Sequence, residues 1–356
     1  MNKKKIVVRA DNALFIGIGH TQRCLYIADE LRKKGYEVIF ICRDLIGSNY
    51  QLIQEYGFEV KLLTKTSLSS RSLKDHTKWL SVSNKQDAKE TLNVMKEVDC
   101  KNIIIDHYGI DIYWENFFRD KGFNIFVLDD IDRKHSANLL IDYSFWKKNS
   151  DFFNKVDREC DLAIGIDYFP LDFRLNSFNK RTKDYIYPNI LVSVGGRDRE
   201  GLTMKVIKAI STIKDLSYEK IHIVINKELS NSISKEIEKN KLRYALYPSP
   251  NGLGEIYEKS DICIGSSGVS ALERCFFGIP SLLVIKALNQ RILGKKLEEY
   301  GLAKIVKAED SQLLANKISS FLKMRNNFQE MEEKSQGFIG NQGCKRIAVK
   351  IDKIIK

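Results

Sequence analysis

Residues 5–35 read KIVVRADNALFIGIGHTQRCLYIADELRKKG, and the order of residue types in this stretch decides the fold class. A short apolar run, Ile6-Val7-Val8, predicts a buried strand over residues 5–10. A glycine loop, Gly17-Ile18-Gly19-His20, comes next. Leu25, Ile27, Ala28 and Leu31 then recur on one side of a predicted helix over residues 20–34, which Gly35 ends. Strand, glycine loop and helix in this order open a β-α-β unit.

Working outward, the same alternation continues. Apolar runs predict strands at residues 37–42, 58–63, 102–106 and 124–128. Helical patterns fall near residues 46–56, 86–98 and 113–121. Such a series implies a parallel sheet with right-handed crossovers. Residues 64–85 are rich in Ser, Lys and Thr and read as a mobile excursion. Between residues 130 and 188 the pattern blurs into aromatic and charged clusters with Pro170 and Pro188. A second series follows, with strands predicted at 189–194, 221–226, 243–247, 262–265 and 281–285 and a helix at 202–212. A last helix near 343–355 is expected to pack back on the first domain. The expected fold class is therefore α/β, with two Rossmann-like doubly wound domains and a cleft between them. The expected domains are 1–165 and 189–335, with 166–188 as linker and 336–356 as a C-terminal helix. In such sheets ligands bind beyond the carboxyl ends of the strands.

The 356 residues suffice for two domains, and 43% hydrophobic content supports a sizeable core. The net charge of +12 fits a nucleic-acid binder, a cleft for a diphosphate, or a compositional bias toward lysine. The lysines are spread along the chain and form no single arm or stripe, which favours the bias and leaves nucleic-acid binding a remote alternative. The seven cysteines are odd in number and include no C-x-x-C, as expected of reduced thiols in a cytoplasm. No apolar run approaches the ~18 residues of a membrane span, so no membrane insertion is expected. The basic start, Met1-Asn2-Lys3-Lys4-Lys5, leads into only three apolar residues and does not read as a signal peptide. No obligate protein partner is evident.

The loops after the strands carry the chemistry. Gly17 and Gly19 let the backbone approach a ligand, and the helix that follows offers free N–H groups to an anion. A third glycine is missing where Gln22 stands, which argues against a dinucleotide cofactor. His20 opens the helix, where the positive helix end favours the neutral imidazole that a general base requires; a capping or surface histidine fits the position equally well. Asp11 shares the loop and either orients His20 or forms an Asx turn. Asp106-His107-Tyr108-Gly109 places polar groups at the end of an isoleucine strand. Asp129-Asp130-Ile131-Asp132 contains an Asp-x-Asp that reads more readily as a strand-ending turn than as a metal site. Gly195-Gly196 ends the first strand of the second series and repeats the logic of the first loop. Ser266-Ser267-Gly268 joins another strand to a helix and suits a diphosphate, and Glu273 in that helix could accept from ribose hydroxyls. Asn289-Gln290, after the next strand, could bond a sugar or base.

Taken together, several motifs carry a resemblance. These are Arg9-Ala10-Asp11, Ile16-Gly17-Ile18-Gly19-His20 with Arg23-Cys24-Leu25, Ile105-Asp106-His107-Tyr108-Gly109, Asp129-Asp130, Val194-Gly195-Gly196, Ser266-Ser267 through Glu273, and Asn289-Gln290. In order and spacing, from about residue 6 to about 305, they resemble the nucleotide-sugar hydrolases of pseudaminic acid biosynthesis. The resemblance implies a glycosyltransferase-B fold and a metal- and cofactor-independent enzyme. It implies water attack with inversion at C1 of a UDP-activated 2,4-diacetamido-2,4,6-trideoxy sugar, with UDP as leaving group. The family's catalytic histidine falls on His20, its active-site tyrosine on Tyr108, and Glu273 falls at the nucleotide-ribose position of related transferases. The substrate is expected to meet Asp11, Gly17, Gly19, Arg23, Asp106 and His107 on one side. On the other it is expected to meet Gly195, Gly196, Ser266, Ser267, Glu273, Asn289 and Gln290. A transferase of the same fold is the alternative. The chain departs from the family where Gly-Pro-x-Tyr-x-Leu-Leu-Arg is usual: residues 165–172 read GIDYFPLD, and Arg174 stands two places later as the candidate replacement.

Overall fold

The computed structural model describes residues 4–13, 15–66, 75–180, 182–195, 198, 201–214, 216–249, 252–285, 288–307 and 311–356. It divides into two compact units, residues 1–173 with 340–356, and residues 174–339. The division falls between Phe173 and Arg174, inside the stretch expected to be linker.

In the first unit the elements run β1 (Lys5–Ala10), α1 (Gly19–Lys33), β2 (Glu37–Arg43), α2 (Gln51–Glu55), β3 (Glu59–Leu63), α3 (Asn84–Glu97), β4 (Asn102–Asp106), α4 (Ile112–Arg119), β5 (Asn124–Leu128), β6 (Leu139–Asp142) and β7 (Asp161–Ile164). The seven strands form one parallel sheet in the order β3-β2-β1-β4-β5-β6-β7. Strands β6 and β7 lie where the periodicity was illegible. Both are four residues long, too short for a pattern to show over the surrounding aromatic and charged residues. The helix expected at 46–56 shrinks to the five residues of α2.

Both faces of this sheet are covered, so its strands read as continuous apolar runs. Ile6, Val8 and Ala10 of β1 and Ile104 of β4 join the core under α1. Val7, Ile103 and Ile105 join the core on the opposite face, with Trp114 and Phe118. This period-two alternation decides where the polar residues at the strand ends go. Asp106 follows the parity of Ile104, toward α1. Arg9 and Asp11 follow the parity of Val7, away from it.

The second unit runs β8 (Ile190–Ser193), α5 (Leu202–Ser211), β9 (Ile221–Ile225), α6 (Ser230–Lys239), β10 (Tyr244–Pro248), α7 (Gly254–Lys259), β11 (Ile262–Ser266), α8 (Val269–Phe276), β12 (Ser281–Ile285), α9 (Leu288–Glu299), β13 (Ala303–Lys307), α10 (Ser311–Lys323) and α11 (Arg325–Ser335). Its parallel sheet has the order β10-β9-β8-β11-β12-β13. The chain then returns to the first unit with α12 (Gly343–Ile355), whose Cys344, Ile347, Ala348 and Ile351 enter the core beneath α1.

Each sheet changes winding direction once, at β1/β4 and at β8/β11. A crevice opens beyond the carboxyl ends of the strands at such a point. The four loops that bear the quoted motifs follow these four strands: His20 after β1, Tyr108 after β4, Gly195 after β8 and Ser267 after β11.

Candidate active site

The first-unit site is built on α1 and on the end of β4. His20, Arg23 and Cys24 stand at positions i, i+3 and i+4, on one helix face turned to the sheet. Asp106 ends β4 opposite Ala10 and points to the same side. Its carboxylate is wholly buried and has three partners. The Arg23 guanidinium grips it with Nε at 2.5 Å from Oδ2 and Nη2 at 2.6 Å from Oδ1. His20 Nδ1 lies 2.5 Å from Oδ1. Cys24 Sγ lies 3.6 Å from Oδ2. Burial pushes the Asp106 carboxyl up, but Arg23 and His20 override it and hold it well below the usual carboxylate range.

A carboxylate only accepts hydrogen bonds, so in neutral His20 the proton sits on Nδ1 and the Nε2 lone pair is the basic position. Among the described residues His20 Nε2 has no recorded partner. Arg23 is held in turn by the Tyr143 hydroxyl at 2.6 Å and by Asp130 at 3.4 Å.

Tyr108 turns its ring, rather than its hydroxyl, toward His20: the ring centroids are 4.5 Å apart at 88°. The hydroxyl donates to Asp130 Oδ1. Burial, with Asp130 alongside, pushes the phenol well above its ordinary value, so the hydroxyl stays a donor. The Tyr108 loop is fixed from behind. Arg133 Nη1 donates to the carbonyls of Tyr108 and Ile110, each at 2.7 Å, and Asn84 bridges the Gly109 carbonyl and the Asp111 N–H.

Asp11 does not orient His20. Its parity sends it to the other sheet face, where Arg9 pairs with it at 2.6 and 3.0 Å and the Arg43 backbone N–H donates to it at 2.7 Å. Burial raises the Asp11 carboxyl, and Arg9 with His107 outweighs this and holds it below the usual range. His107 accepts the Gly109 N–H on Nδ1 and sets Nε2 3.2 Å from Asp11, and burial pushes its imidazole below 6.5. Asp87 completes the cluster, accepting from Arg9, Arg43 and the Trp114 indole. Asp11, Arg23, Asp106 and His107 were expected to touch substrate. They are at most 3% exposed, so their side chains support the site instead of lining it. Gly17 adopts φ +85° and Gly19 begins α1, leaving both as backbone of the loop.

The aspartates of the 129–132 turn face separate partners. Asp129 accepts from the Ile131 N–H and Arg133 and has His135 Nε2 at 3.2 Å, Asp130 accepts from Tyr108 and Tyr143, and Asp132 from Lys155.

Sequence reading missed two rings of the aromatic group around His20 and Tyr108. His76 lies in a 3₁₀ turn, His76–Lys78, and Trp79 follows it. Trp79 stacks on Tyr108 at 5.6 Å and 26°, and meets His20 edge-on at 6.1 Å. Both belong to the stretch read as a mobile excursion, of which residues 67–74 lie outside the described residues. The hint was a tryptophan and a histidine in a tract rich in Ser, Lys and Thr.

In the second unit Gly195 follows β8 with φ +99°, and Gly196 lies outside the described residues. Asp198 caps α5, accepting the Leu202 and Thr203 N–H groups at 2.6 and 2.7 Å. Gly265 must be glycine: a Cβ there would sit 2.6 Å from the Ser193 carbonyl of the neighbouring strand. Ser266 and Ser267 are buried, and the Ser267 hydroxyl donates to the Gln290 carbonyl at 3.0 Å. Glu273, half-buried in α8, accepts from the Tyr257 hydroxyl at 2.8 Å. Arg274, unremarked in the sequence, is fully buried and donates to the Ser266 carbonyl at 2.7 Å and to the Ser270 and Ser281 hydroxyls. Gln290 sets its Nε2 3.8 Å from where a Gly268 Cβ would stand, while its Oε1 is buried with no partner among the described residues. Asn289 lies in the first turn of α9, its side chain outside the described residues. Arg174 belongs to this unit and sits against Gly252.

Two parallel α/β units with loops gathered at their switch points define the glycosyltransferase-B class of fold. Solved structures agree. The chain aligns with Acinetobacter baumannii MurG at TM-score 0.70 and 13% identity, covering 98% of this chain and 99% of that one. It aligns with the spinosyn rhamnosyltransferase SpnG, complexed with thymidine diphosphate, at 0.69 and 11%, covering 99% and 100%. Residues 189–348 match the glycosyltransferase family 28 C-terminal domain. Among curated proteins the chain is similar to the UDP-2,4-diacetamido-2,4,6-trideoxy-beta-L-altropyranose hydrolase of Campylobacter jejuni, 28% identical over 216 residues, 60% of this chain and 68% of that protein. It is also similar to the spore coat polysaccharide biosynthesis protein SpsG of Bacillus subtilis, 26% identical over 117 residues, 32% of this chain and 34% of that protein. The resemblance carried by the motifs thus extends to the aligned sequence. Among the described residues no helix is long and apolar enough to cross a membrane.

Proposed function

We propose that the protein hydrolyses a UDP-activated 2,4-diacetamido-2,4,6-trideoxy sugar at C1, releasing free sugar and UDP, in the biosynthesis of pseudaminic or a related nonulosonic acid. The observation that carries this reading is the 2.5 Å contact between His20 Nδ1 and Asp106 Oδ1, which leaves Nε2 as a base. His20 Nε2 takes a proton from water, and the water oxygen attacks C1 from the face opposite the leaving group. The C1–O bond breaks with its electrons passing to the diphosphate, and the anomeric centre inverts. Asp106 keeps the imidazole in the reactive tautomer and offsets the charge that forms on it. UDP is a stable leaving group, so N–H groups of glycine loops and helix starts suffice to stabilise its charge without a metal. The similarity to the Campylobacter hydrolase supports the choice of sugar.

The test is turnover of that UDP-sugar without an acceptor in oxygen-18 water. The expected result is one label in the free sugar and none in UDP. Label in UDP, or full turnover by His20→Asn, refutes the mechanism. The match of residues 189–348 to a glycosyltransferase domain favours one second reading, a transferase. That reading requires turnover only when an acceptor is added.

A further inference from the structure

We propose that the aromatic group beside His20, with Trp79 at its centre, is the subsite for an acetamido substituent of the sugar; this rests on the sugar-nucleotide reading above. Two rings from two loops, Trp79 and Tyr108, meet the histidine edge-on, and a third, His76, packs on them. Trp79 stacks on Tyr108, and His76 meets both rings edge-on, at 6.2 Å from Trp79 and 5.7 Å from Tyr108. The turn that carries Trp79 is packed tightly on the Tyr108 loop. A Cβ added to Gly109 would lie 3.0 Å from the Leu80 backbone nitrogen and 3.0 Å from the His107 ring. The rings are therefore held in place beside the reacting centre.

One polar atom in this group is unused. The Trp79 indole Nε1 is out of solvent and has no acceptor among the described residues. An indole N–H is a donor only, and leaving it buried without an acceptor is unfavourable. The neighbouring Tyr108 hydroxyl donates to Asp130 and does not accept from Nε1. The chemistry that fits is a carbonyl oxygen beside a small apolar group that aromatic faces can cover. An acetamido group offers both: its carbonyl accepts from Nε1 and its methyl packs on the rings. A sugar hydroxyl offers an acceptor but no methyl, and an unsubstituted carbon offers neither. Trp79 thus acts as a specificity-determining residue, while His20 does the chemistry.

The test compares binding of UDP-N-acetylglucosamine, UDP-glucose and UDP by titration calorimetry to the full chain and to Trp79→Phe, which keeps an aromatic ring and removes the donor. Circular dichroism checks that the variant is folded. The native chain is expected to bind the acetamido compound about tenfold more tightly than UDP-glucose, the value of one desolvated hydrogen bond with its packing. Trp79→Phe is expected to lose most of that preference with UDP binding unchanged, and saturation transfer from protein to the acetyl methyl is expected to weaken with it. If the preference is absent in the native chain, or survives Trp79→Phe intact, while UDP still binds, the subsite assignment is overturned alone. If UDP does not bind at all, the sugar-nucleotide reading falls and takes the subsite with it.

Discussion

Asp106 Oδ1 receives both His20 Nδ1, at 2.5 Å, and Arg23 Nη2, at 2.6 Å. One carboxylate therefore does two jobs. It orients the imidazole, and it neutralises a guanidinium buried behind it. Two of these residues stand three apart on α1, so the geometry follows from one helical turn facing one strand end.

Substituting the shared carboxylate separates the two jobs. Asp106→Asn keeps the size but removes the charge, so the amide can bond His20 in the wrong tautomer. Turnover is expected to fall by about 10²–10⁴-fold, the range of general acid–base contributions. The variant also leaves Arg23 without its counter-charge, at a stability cost of roughly 3–5 kcal/mol. UDP release should therefore be measured well below the variant's melting temperature. A kcat near that of the native protein in the folded variant would show that Asp106 does not orient the base.

The opposite pattern is expected at Asp11. Its carboxylate serves Arg9, the Arg43 N–H and His107 on the far face of the sheet. Asp11→Asn is expected to destabilise the protein by about 3 kcal/mol, because it uncovers a buried arginine. Its folded fraction should keep kcat within about threefold, since no transition-state contact is removed. Thermal melting and initial rates on the same sample decide the matter. A loss of kcat as large as that of Asp106→Asn would put Asp11 back beside the base.

These two aspartates show how far the sequence could be read. The strands that lead to them were legible, since β1 and β4 appear at the predicted residues. The motifs named His20, Asp106 and Tyr108 as neighbours in function. Motifs do not say which face of the sheet a side chain takes, and proximity along the chain suggested Asp11 for the role that Asp106 fills. Strand parity held the answer: Asp106 lies two residues from Ile104, under α1, and Asp11 lies four from Val7, on the other side. Trp79 and His76 were illegible for another reason. They sit in an irregular turn whose position depends on packing against Gly109, and no periodicity encodes that contact. Arg274 carried no signal in the sequence because its partners are carbonyl and hydroxyl groups distributed over two strands and a helix turn.

A pH-dependent stability is expected from His135. Its Nδ1 lies 2.8 Å from Glu115 and its Nε2 3.2 Å from Asp129, so the buried imidazole faces a carboxylate at each nitrogen. Burial works against the charged form, but the two carboxylates prevail and raise the imidazole to about 9. The folded state thus binds the proton more tightly than the unfolded chain, whose histidine titrates near 6.5. The stabilisation is complete below pH 6.5 and is lost as pH rises from there to about 9. Its size is on the order of 3 kcal/mol. Chemical denaturation at pH 6 and pH 9 should show this decline, and His135→Gln should be less stable at pH 6 and should flatten the slope. An unchanged slope in the variant would assign it to other groups.

The nucleotide side of the reading is tested at Arg274. Its guanidinium donates to the carbonyl of Ser266, the last residue of β11, and to the serines at the starts of α8 and β12. Those bonds fix the path of Ser267 and Gly268, whose backbone leads into the start of α8. Arg274→Met keeps most of the side-chain volume and removes every donor. The Ser266 carbonyl is then left buried without its partner, at about 1–3 kcal/mol. If this loop holds the diphosphate, the turn relaxes and KM for the UDP-sugar rises by about tenfold, while kcat stays within about twofold because the reacting centre is untouched. Steady-state kinetics with a parallel melting curve separate the two effects. A variant that melts lower but keeps the native KM would show that Arg274 braces the domain without shaping a nucleotide site, and the diphosphate would then have to be placed at another loop.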